Sequence, residues 1–96
     1  MLNLLRFAEG GRASYAAYSE HTRRHLAAVG GEVLYAGRGS TAVIAEEGQA
    51  WDEVIVVRYP SRQAFLTMIA DPEYQRGTHL RTAALTEAVL QATVPL

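Results

Sequence analysis

The 96-residue chain contains no cysteine and no lysine. Without thiols there is neither a disulfide framework nor a thiolate metal site, so the fold must be held by packing alone, which points to a reducing cytoplasm or to a dimer. All nine cations are arginines scattered from Arg6 to Arg81, set against ten carboxylates for a net charge of -1. That balance supplies no basic field for counterion release, and nucleic acid is not expected as a partner. No stretch approaches the ~20 apolar residues of a membrane span, and the start Met1-Leu-Asn-Leu-Leu-Arg-Phe lacks the cationic lead and apolar run of a signal peptide. No membrane association is expected, and the location read from these features is cytoplasmic. There is also no GxSxG, P-loop or GxGxxG motif.

What is present is ordinary globular composition, 49% hydrophobic and 20% charged, enough for a single domain spanning residues 1–96 with one modest core. Turn signals at Gly10-Gly11, Gly30-Gly31, Gly37 to Gly39, Glu46-Glu47-Gly48, Pro60 and Pro95 divide it. Residues 1–8 are too short for a helix and read as a strand. Residues 12–29 carry Tyr15, Tyr18, Thr22, His25, Leu26 and Val29 on a 3.6-residue stripe, with Glu20, Arg23 and Arg24 opposite and Gly30 as a stop, the pattern of an amphipathic helix. Residues 32–45 read as one strand bent or bulged at Gly37-Arg38-Gly39. A turn at 46–50 then makes a hairpin with the strongest strand, Trp51 to Tyr59.

Ser61 is placed to cap a helix over 62–70 whose buried stripe is Phe65, Met68 and Ile69, and Asp71-Pro72 repeats the start signature for a helix to about Leu85, broken near Gly77. Residues 87–94 close the order as a strand. The sum is β-α-β-β-α-β, an α+β ferredoxin-like arrangement with a four-stranded antiparallel sheet. Helices cover one face of such a sheet, and a bare apolar second face predicts a homodimer.

The segment Tyr59 to Gln75 (YPSRQAFLTMIADPEYQ) pairs an aromatic-Pro-Ser-Arg turn and helix with Asp-Pro-Glu-Tyr. Together with MLNLLRF, Tyr15, Tyr18 and Gly30-Gly31, it resembles the family called domain of unknown function 1330 over nearly the whole chain. The resemblance implies a dimeric α+β barrel, two ferredoxin-like subunits packed sheet to sheet, each with a cleft between sheet and helices. It implies no established reaction.

Within that frame the chemistry-bearing residues are few. His21 and His25 lie at i and i+4, a spacing used by helical metal ligands, but the glutamate of HExxH is missing and packing is the simpler reading; no metal is expected. Haem-binding relatives of the barrel fold use a strand Asn and a helix His, matched in type by Asn3 and His79. They also place a Trp on the helix beside the pocket, where this chain offers Phe65 and Met68, and no cofactor is expected. Alternation sends Arg58 and Tyr59 to opposite sheet faces. A cleft-facing Arg58 would hold a carboxylate bidentately, with Asn3, Tyr18, His21 and His79 as the other polar groups of an apolar cavity; an Arg58 on the other face would pair with Glu or Asp across the sheet. Two functions stay open: a small-molecule cleft, as a binding module or a cofactor-independent monooxygenase or isomerase acting on a small, partly apolar acid, and a structural dimer whose cleft is filled by its own side chains.

Overall fold

The computed structural model describes all 96 residues and orders them as β1 (Leu2–Phe7), α1 (Gly11–Ala28), β2 (Glu32–Arg38), β3 (Glu53–Arg58), α2 (Arg62–Ala70), α3 (Pro72–Gln75), α4 (Thr78–Ala84) and β4 (Leu85–Gln91). The sheet runs β2-β3-β1-β4 with every neighbouring pair antiparallel, the ferredoxin-like topology anticipated above. Local chemistry fixes the boundaries. Gly30, at φ 78°, ends α1; its N–H donates to Ala27 O while the N–H of Gly31 reaches Leu26 O, a Schellman closure that needs a residue free to adopt the left-handed region. Ser61 Oγ accepts from Ala64 N at 3.1 Å and Asp71 Oδ1 from Glu73 N at 2.9 Å, so both expected caps form. The break near Gly77 separates α3 from α4.

The stretch 32–45 departs from expectation. The strand stops at Arg38, residues 39–52 form a long connection, and the register shift falls between Val33 and Tyr35 rather than at the glycines. Arg38 pairs with Glu53, the first residue of β3, so nothing lies opposite Ser40 to Ala45 for their β-branched side chains to pair with. Gly39 instead turns the chain away: its N–H donates to Asp52 O at 2.9 Å, and the Trp51 carbonyl sits where a Cβ would stand. A turn does form at Glu46 to Gln49, around Gly48 at φ 83°. The returning limb is strapped to β1, where Arg6 bonds the carbonyls of Gly48 and Ala50 and lies over the Trp51 ring, and Asp52 accepts from Phe7 N at 2.8 Å.

Strand parity divides the sheet into two surfaces. Leu5, with Phe7, Ile55 and Leu85 packed nearby, faces the helices and forms the core with Tyr15, Tyr18, Met68, Tyr74 and Ala84. The register puts Leu2, Leu4, Val54, Val56 and Val89 side by side on the opposite face, with Tyr35 beside Val56. No helix covers that face: the Cα extents of 37 × 36 × 16 Å are those of a slab one sheet and one helix layer thick. Consistent with an unfinished surface, Tyr35 and Leu34 are 58% exposed.

Candidate functional site

Between the sheet and the helices lies an open cleft of about 480 Å³. α1, at 18 residues about 27 Å long, runs well past the nine-residue α2, about 14 Å long, and the space between them is floored by the sheet. Asn3, Ile55, Val57 and Leu90 form the floor; Tyr15, Tyr18, Thr22 and Leu26 one wall; Phe65, Met68 and Ile69 another; and Thr78, Arg81 and Thr82 of α4 the end. α4 is drawn against α1 because Gly11, lacking a side chain, lets the Ala84 carbonyl approach, and Ser14 Oγ donates to Leu80 O at 2.8 Å. Twelve of nineteen lining residues are hydrophobic, so a bound molecule would lose water over most of its surface.

The polar groups are arranged on that apolar background. Tyr18 and Tyr74 share a hydroxyl–hydroxyl hydrogen bond of 2.6 Å. Burial, which disfavours the phenolate, pushes the pKa of Tyr15 and that of Tyr59 up to about 12 and that of Tyr74 above the ordinary phenol range; the bond to Tyr18 adds to the last. These hydroxyls are therefore neutral at physiological pH. Asn3 is only 8% exposed, lines the cavity, and its side-chain amide bonds to no group of the protein. The side-chain polar atoms that are fully buried without a partner are Thr22 Oγ1 and His25 Nε2.

Of the five polar residues singled out by sequence, the structure brings Asn3 and Tyr18 together in the cleft and leaves three outside it. Arg58 is a correction. Val57 and Tyr59 point into the cleft, so alternation turns Arg58 to the opposite face, where it is exposed and lies 3.8 Å from Glu32 across the β2–β3 ladder. His79 sits exposed on the outer side of α4, away from Asn3. His21 is occupied with the Tyr74 carbonyl, its Nε2 at 3.0 Å, and packs against Gly77. The His21 and His25 rings are 5.2 Å apart, His25 Nδ1 is 3.6 Å from Asp71 Oδ2, and no group of three His, Cys, Asp or Glu side chains assembles around them. The residue that sequence reasoning missed is Arg81; its signal was the spacing Thr78, Arg81, Thr82, which puts three polar side chains on one face of a helical turn.

Fold and site together define a ferredoxin-like α+β protein with a cleft between its single sheet and its helices. The chain belongs to the family described as Domain of unknown function (DUF1330), whose sequence model matches residues 8–93. Among solved structures, the methylated RPA0582 protein is 32% identical with a TM-score of 0.90, covering 99% of this chain and 78% of its own. A second structure of RPA0582, a protein of unknown function from Rhodopseudomonas palustris, is 30% identical with a TM-score of 0.83 over 98% of this chain and 81% of its own. At3g17210 from Arabidopsis thaliana, at 14% identity, a TM-score of 0.62 and coverage of 99% and 96%, shares the fold. No curated protein matches. No helix of the chain is long and apolar enough to cross a membrane.

Proposed function

We propose that the chain is a cytoplasmic homodimer of the α+β barrel type that binds a small, partly apolar molecule in the cleft of each subunit. The observation that carries the binding reading is Asn3. Asn3 is 8% exposed as a residue, yet its amide bonds to no side chain or backbone group of the protein and opens onto a cavity of about 480 Å³, where a bound molecule would complete it. An unfilled cleft also weighs against a purely structural dimer with its own side chains packed inside. The homodimer is supported by the uncovered face: five aliphatic side chains in register, with Tyr35 beside them, form a patch that water would otherwise contact. At the margins of that face Arg6 pairs with Glu87 and Arg58 with Glu32, a polar rim around an apolar centre. The absence of cysteine supports the reducing compartment.

The test is a thermal-shift screen of the full chain against aromatic and short-chain acids, amides and alcohols. Members of the panel should raise the melting temperature in proportion to the logarithm of their concentration, and the rise should vanish when Val57→Trp fills the cleft. If no compound stabilises the wild-type chain, the cleft is not a binding site.

A further inference from the structure

The charges around the cleft are one-sided. Its lining contains two arginines and no carboxylate. Arg23 is already paired with Glu20 at 3.0 Å, both side chains more than two-thirds exposed, so its charge is met outside the cavity. Arg81 has no carboxylate partner at all and is partly buried against Tyr15. Glu53, whose charge is felt at Tyr15, is held by Arg12 at 3.3 Å and does not line the cleft. With the phenols neutral, the cleft presents one uncompensated guanidinium at its α4 end.

Resting on the reading of the cleft as a binding site, we infer that its ligand is a small aromatic monocarboxylate, held through its acid group by Arg81 and able to meet Asn3 with a second polar group. A guanidinium matches a carboxylate with two parallel N–H···O bonds. A phosphate dianion would bring a charge that the cleft has no second free cation to balance, and surplus charge in a mostly apolar cavity is costly. The aromatic body follows from the walls, where Tyr15, Tyr18, Tyr59, Phe65 and Tyr74 offer ring faces and edges. Asn3, both donor and acceptor, suits a hydroxyl or carbonyl group.

The experiment is isothermal titration of the full-length chain with 2-naphthoate, 4-hydroxybenzoate, their neutral amides and inorganic phosphate. The acids should bind at least about tenfold more tightly than the amides, the size of a charge-assisted pair. Arg81→Gln should abolish that preference and leave amide affinity unchanged, with Arg81→Lys in between. Asn3→Leu should weaken 4-hydroxybenzoate more than 2-naphthoate, and Arg58→Gln, on the opposite face, should change neither. Acids and amides binding alike, a preference that survives Arg81→Gln, or phosphate outcompeting the acids would overturn the carboxylate assignment while leaving the cleft as a site. Binding by no probe would remove the cleft reading and this inference together.

Discussion

Replacing Asn3 by Leu should make the protein more stable and less able to bind. The native residue is 8% exposed and its amide has no hydrogen-bond partner in the chain, so folding leaves it in reach of water only through the cleft. A polar group buried with no partner at all costs about 1–3 kcal/mol. Because the amide borders an open cavity, the lower part of that range applies, and the added apolar burial of leucine contributes about 1 kcal/mol in the same direction. The net expectation is a gain of about 1–2 kcal/mol. For a domain of this size each kcal/mol moves the melting temperature by about 4–8 °C, so Asn3→Leu should melt about 4–16 °C higher. The assay is thermal unfolding by circular dichroism, with protein concentration held fixed because an oligomer's midpoint depends on it. A variant that melts at or below the wild-type temperature would refute the claim that Asn3 is unsatisfied, and with it the principal support for a ligand. A more stable variant with reduced affinity would be the trade-off expected of a binding residue.

Three further outcomes follow from the packing. Tyr15 and Tyr59 titrate at about 12 in the folded chain against about 10 when unfolded, so their contribution is complete below pH 10 and is lost as pH rises from 10 to 12; spectrophotometric titration should find late-ionising phenols, and stability falling across that window rather than below it. Gly30→Ala should cost about 1–2 kcal/mol in denaturant unfolding, because φ 78° is unfavourable for a side chain and the new Cβ would stand 3.1 Å from Pro60; an unchanged midpoint would contradict the Schellman closure. Val56→Glu, placing a charge at the centre of the uncovered face, should shift a dimer to monomer in sedimentation, whereas Arg58→Ala at the rim should have little effect.

Much of the fold was legible because it rests on local rules. Ser61, Asp71-Pro72 and Gly30 each declare a helix end through a backbone requirement that a short sequence displays, and Val54 to Val57 can hardly be anything but a strand. The stretch Ser40 to Ala45 misled because β-propensity measures fit to a partner, and the register of β3 supplies none. The site was legible in kind but only partly in place. Alternation correctly separates Arg58 from Tyr59, but which face meets the helices is decided by the packing of Leu5 against Tyr15 and Tyr18, a contact between distant segments. Arg81 escaped notice for the same reason: its spacing is visible, yet its position at the cleft depends on α4 closing against α1 through Gly11 and Ser14.

The central claim is a two-sided sheet, one face flooring a cleft and the other proposed to be completed by a second copy. Light scattering coupled to size exclusion at micromolar concentration reads this most directly. It should return twice the 10.5 kDa mass of the chain, and a stable particle of a single chain's mass would contradict it.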